Sequence, residues 1–168
     1  MNAFNKKKID LIDIILIVIY LIVTIAISFD IFFKTIESYR NFILLYTFLT
    51  PFYIYLISYK SLRNIYISII WILFGLYHHY LYSILIKNEA FTMVRGHSAN
   101  GLQYTIIFII IFQVFRISHL FLFKRELIGL PMPGRTKDPF DNKIAQGSDI
   151  ILFVIYNVGW IALMMNIR

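Results

Sequence analysis

The sequence predicts an all-α integral membrane protein: a bundle of five transmembrane helices with a cytoplasmic N-terminus. Three observations carry that expectation. Of 168 residues, 60% are hydrophobic and 18% aromatic, against roughly 45 to 50% apolar residues in an ordinary soluble domain. Five stretches, 14–29, 41–59, 64–86, 96–115 and 150–167, contain no Asp, Glu, Lys or Arg, and about 20 mainly apolar residues carry a helix across the hydrocarbon layer. The basic residues then divide unevenly. With the N-terminus inside, ten lie at inner ends (Lys6, Lys7, Lys8, Lys60, Arg63, Lys124, Arg125, Arg135, Lys137, Lys143) and five at outer ends (Lys34, Arg40, Lys87, Arg95, Arg168). That is the inward bias of basic residues in membrane proteins. The net charge of +7 is therefore read as topology and not as a nucleic-acid footprint.

The first span is expected over 11–33. Lys6 to Lys8, an apolar run and Ala26-Ile27-Ser28 follow the charged, apolar and small-residue layout of a signal peptide, but the segment is read as a retained span. The second, over 41–59, contains Pro51. A mid-span proline is tolerated when a hydroxyl such as Thr47 or Thr50, or a neighbouring helix, satisfies the freed carbonyl, so a kink is expected there. The alternative is four spans plus a re-entrant or interfacial segment. That choice would change the basic count to six inside and nine outside, which disfavours it.

The third span, over 64–86, carries His78 and His79 among Tyr77, Tyr80 and Tyr82. Haem ligation shared between His78 and His119 is disfavoured by depth: at ~1.5 Å per residue the two lie about 12 Å apart along the membrane normal. Adjacent helical side chains diverge, so His78 and His79 do not share a metal ion either. A hydrogen bond to a tyrosine or a carbonyl is the expected role. The outer link carries Gly96-His97-Ser98-Ala99-Asn100, which lacks the final glycine of a nucleophile elbow, and Asn100-Gly101 reads as a turn.

The fourth span, over 101–123, holds Gln113, Arg116 and His119 at steps of three, hence along one stripe. The stripe should face protein, because an ionisable group within the bilayer costs a few kcal/mol. Asp13 and Asp149 lie at similar depth. Asp13, Gln113, Arg116, His119 and Asp149 are therefore the candidate intramembrane polar cluster. In one reading Arg116 snorkels or pairs with Asp13 or Asp149 to fix helix register; in the other the cluster is part of a proton or anion path.

The inner loop, 124–148, is the only sizeable extramembrane element expected. Its prolines and alternating charges suit an ordered partner-docking loop with Pro131, Met132, Pro133, Arg135, Lys137 and Phe140 as contacts. Ser148 and Asp149 should cap the last span, over 149–166.

The chain has no cysteine and no HExxH, serine elbow or carboxylate cluster. No cofactor, metal site, catalytic residue or nucleic-acid partner is expected, and the chain is read as not an enzyme. Abundant Phe, Tyr, Ile, Asn and Lys fit an AT-rich genome, which points to a bacterial inner membrane, with an organellar inner membrane as the alternative. The functional expectation is a structural or regulatory subunit of a larger membrane complex, in contact with lipid and with other integral subunits or itself. The alternative is a small oligomeric transporter or channel using the span-four stripe.

Overall fold

The computed structural model describes residues 9–33, 40–93, 96–128 and 144–165. Among these, helix α1 is Leu11–Phe33, α2 Arg40–Phe52, α3 Ile65–Leu85, α4 Asn100–Phe123 and α5 Gly147–Met165. The fold is all-α apart from a small antiparallel hairpin between α3 and α4, β1 (Thr92–Met93) and β2 (Gly96–His97), with Thr92 opposite His97. Among the described residues, three helical stretches are long and apolar enough to cross a membrane: Leu11–Phe29, Ile65–Leu85 and Asn100–Phe123. A shorter apolar stretch is Gly147–Leu163.

Helix α2 is shorter for a local chemical reason. Pro51 supplies no N–H to the carbonyl four residues back, and its ring crowds that carbonyl. Just beyond it the chain widens into a π-helical turn, Tyr53–Ile57, closed by the Ser58 amide donating to the Tyr53 carbonyl at 3.2 Å. The hydroxyls of Thr47 and Thr50 bond the carbonyls of Leu44 and Tyr46, both at 2.8 Å. A short 3-10 turn, Ser61–Arg63, then leads to α3, whose N-cap Asn64 accepts from the Tyr66 amide at 2.9 Å.

Asn100 and Gly101 do not form the turn expected before α4. They are its first residues, and the Leu102 amide donates to the Ala99 carbonyl at 2.9 Å around them, so the Asn100-Gly101 turn is the opening turn of the helix itself. The hairpin has already reversed the chain, so helix can begin earlier. Gly96 sits at φ 91°, a conformation that favours glycine.

The packing is that of a bundle turned inside out. Aliphatic side chains cover the exterior: Leu11, Ile15, Ile19 and Ile22 on α1, Ile107, Ile110 and Val114 on α4, and Ile151, Val154 and Ile155 on α5 are all exposed. The interior joins aliphatic side chains such as Ile54, Leu62, Leu81 and Ile109 with aromatic and polar groups, among them Tyr20, Tyr46, Tyr55, Trp71, Phe108, Tyr156 and Trp160, with Thr24, Thr47, His78, Thr105 and Arg116. An apolar exterior costs nothing against lipid tails, whereas polar groups gain only where they meet partners inside.

The closest seam is between α3 and α4. A Cβ built on Gly75 would meet the Cα and Cβ of Ile106 at 2.9 Å, so the two backbones approach where only glycine fits.

Candidate functional site

One end of the bundle gathers the start of α1, the Ser61–Arg63 turn, the end of α4 and the start of α5. The device that builds it is the exit from α4. Lys124 takes a left-handed conformation at φ 55°, and the chain folds back so that Leu127 and Ile128 are buried and the Glu126 carboxylate reaches the bundle end.

Arg116, 1% exposed, meets Glu126 there in a bidentate pair. Its Nε donates to Oε2 at 3.0 Å and a terminal nitrogen to Oε1 at 3.2 Å, the fork geometry that makes such pairs strong. The other terminal nitrogen donates to Gln113 Oε1 at 3.0 Å and reaches the Leu62 carbonyl at 3.5 Å. Gln113 in turn donates to the Leu62 carbonyl at 3.0 Å and to Ser68 Oγ at 2.9 Å. Arg63 completes the group, with Nε 3.7 Å from Glu126 Oε2 and a terminal nitrogen donating to the Leu127 carbonyl at 2.9 Å. Arg116 thus pairs with neither Asp13 nor Asp149, the partners expected from depth. The left-handed turn at Lys124 delivers a nearer carboxylate.

Each expected partner is engaged elsewhere. Asp13 accepts from Ser61 Oγ and from the Asp10 amide, tying α1 to the turn before α3. Asp149, fully buried, accepts from the Ile128 amide at 3.1 Å, the Gln146 amide at 2.8 Å and Arg125 at 2.7 Å. The Gln146 contact is the back-reaching half of a capping box: the carboxylate in the first turn satisfies the amide at the N-cap.

His119 lies beside that carboxylate. Its Nδ1 donates to the Arg125 carbonyl at 3.1 Å, while Nε2 is 3.1 Å from Ser148 Oγ and 3.5 Å from Asp149 Oδ1. Arg125 also donates to Ser148 Oγ at 2.9 Å. The expected cluster of Asp13, Gln113, Arg116, His119 and Asp149 is therefore divided among three local groups. Glu126, Arg63, Arg125 and Ser148 are the additional members. The loop residues Pro131, Met132, Pro133, Arg135, Lys137 and Phe140 lie outside the described residues.

A second network sits deeper. His78 Nε2 is 2.7 Å from Tyr46 Oη and 3.3 Å from Tyr20 Oη, and Nδ1 is 3.1 Å from Thr105 Oγ1. Tyr20 bonds Thr50 at 2.9 Å and Tyr46 bonds Thr24 at 2.7 Å. One histidine thus joins four helices, α1 to α4. At the hairpin, His97 uses both ring nitrogens locally: Nε2 donates to the Asn88 carbonyl at 3.3 Å and Nδ1 accepts from the Ala99 amide at 3.2 Å. Among the described residues, no group of three or more His, Cys, Asp or Glu side chains could hold a metal ion.

Comparison with protein-family models, with curated proteins and with solved structures finds no match to this chain. The chain is a small helical protein with apolar helices suited to a membrane.

Proposed function

We propose that the chain is a five-span membrane protein with a cytoplasmic N-terminus, acting as a structural or regulatory subunit of a larger complex in a bacterial inner membrane. The observation that carries this reading is the contrast between the charged groups and α1. Arg116 and Asp149 are each matched to a countercharge within the chain, which leaves them committed to packing rather than to a moving solute. Helix α1, by contrast, turns most of its apolar side chains outward. It is flanked by two lipid-facing grooves, of about 270 Å³ against α2 and about 630 Å³ against α3. Such flanks suit the helices of a neighbouring subunit as well as lipid chains.

The five-span count rests on treating the π-helical turn as part of one crossing from Arg40 to Ile57. On that treatment the polar contacts gathered at one bundle end are those of alternating antiparallel helices. The ten-to-five basic bias then sets the inward end.

Extraction in mild detergent followed by native mass analysis tests the subunit role. The expected result is stable co-purification of other integral membrane proteins. A homogeneous homo-oligomer would overturn it and favour a transporter built around the span-four stripe.

A further inference from the structure

We propose that Ser148 is a nucleophile activated by His119, forming a small acyl-transfer site at the inward end of the bundle that acts on the acyl ester of a membrane amphiphile.

The arrangement begins with the tautomer. The Arg125 carbonyl can only accept, so His119 Nδ1, 3.1 Å from it, carries a proton. In the neutral ring that leaves Nε2 as the lone-pair nitrogen, and it faces Ser148 Oγ at 3.1 Å. A backbone carbonyl fixing one ring nitrogen while the other faces a hydroxyl is the positioning that general-base activation of a serine requires. Asp149 Oδ1 lies 3.5 Å from the same Nε2. Arg125 is bound to the other carboxylate oxygen at 2.7 Å.

Two further features suit the reaction. A terminal nitrogen of Arg125 donates to Ser148 Oγ at 2.9 Å, and the Nε of the same guanidinium is buried with no hydrogen-bond partner among the described residues. It is a donor in reserve for negative charge developing beside the serine. Access is open on one side, because Ser148 is half-buried and a Cβ at Gly147 would meet nothing within 4 Å. Ile144, Ile150 and Ile151, close to Ser148 in sequence, are exposed, apolar surface that fits a substrate whose chain lies in lipid and whose ester lies at the interface.

In the step proposed, Ser148 Oγ forms a bond to the ester carbonyl carbon while its proton passes to His119 Nε2. The carbon–oxygen bond to the leaving alcohol then breaks, and that alcohol takes the proton back. Water, giving a proton to the same nitrogen, then adds to the acyl carbon; the bond from that carbon to Ser148 Oγ breaks, Oγ takes the proton back from His119 Nε2, and the acid is released.

The test uses the detergent-solubilised full chain with an alkyl fluorophosphonate, in which fluoride leaves as the serine–phosphorus bond forms. Peptide mass analysis is expected to find the adduct on Ser148 and not on Ser58, Ser61 or Ser68. Labelling should disappear in Ser148→Ala and fall at least ~100-fold in His119→Asn, since general-base assistance contributes about that much or more. Should His119→Asn fail to fold, wild-type protein denatured before labelling takes its place, because an activated serine loses its reactivity on unfolding and a merely accessible one does not. No adduct on Ser148 in the native chain, or equal labelling after either change, overturns the proposal.

Discussion

Glu126→Ala is expected to destabilise the folded bundle by about 3 to 5 kcal/mol, the cost of leaving one member of a buried ion pair without its partner. Arg116 would remain buried against Gln113 Oε1 and the Leu62 carbonyl, neither of which carries a countercharge. Arg63, close to Glu126 at 3.7 Å, would lose the same countercharge. Glu126→Gln should fall between, since the amide keeps one acceptor but loses the charge. The double variant Arg116→Leu with Glu126→Leu should recover much of the loss, because a buried pair replaced by apolar groups is often near neutral. Unfolding in detergent micelles measures all three. A single-variant loss below ~0.5 kcal/mol would mean that the pair does not hold this end of the bundle together.

Gly75→Leu should cause the other large loss, by a steric and not an electrostatic route. The first added carbon would already lie 2.9 Å from the Cα of Ile106, and a backbone atom cannot move aside as a flexible side-chain tip can. Overpacking costs typically about 1 to 3 kcal/mol, and forcing two helix backbones apart belongs at or above the upper end of that range. Gly75→Ala should lose less, but still lose. Gly159→Ala provides the opposite sign: nothing stands within 4 Å of the position its Cβ would take, so helix propensity alone should leave stability unchanged or raise it by up to about 1 kcal/mol. The same unfolding assay compares the two glycines. Equal responses would show that the α3–α4 approach is not close.

The helices were legible because the physics of the bilayer writes them plainly. Charge-free runs mark where an ionisable group would be costly, and Leu11–Phe29, Ile65–Leu85 and Asn100–Phe123 each contain most of such a run, with Asp13 and Arg116 as the charged exceptions. The step of three from Gln113 to Arg116 to His119 likewise placed them on one face, and Arg116 and His119 are buried. The ion-pair partner was not legible. Glu126 stands between basic residues just past the end of α4 and reads as part of a solvated loop. Only the left-handed turn at Lys124, which no local signal announces, aims it back at a residue ten positions earlier. An arginine within a span followed by an acid just beyond the helix end is the signal that would have found it. His78 shows the complementary case. A buried histidine calls for hydrogen-bond partners, but which tyrosines supply them depends on helices 32 and 58 residues away in sequence, and that is settled only by packing.

The Ser148–His119 contact was obscured for a related reason. Ser148 looks like a cap for α5, yet Asp149 caps the amide of Gln146 and leaves the serine hydroxyl to His119 and Arg125. One carboxylate taking over the cap is what frees the neighbouring hydroxyl.

The account rests above all on an inward polar end and an outward hairpin separated by membrane. The chain contains no cysteine, so single cysteines at the exposed positions Lys60, Glu89 and Ile144 report sidedness without background. In sealed right-side-out vesicles treated with an impermeant maleimide, Glu89→Cys should be modified at once, while Lys60→Cys and Ile144→Cys should react only after permeabilisation. Modification of Lys60→Cys and Glu89→Cys from the same side would contradict the account, because α3 would then not cross.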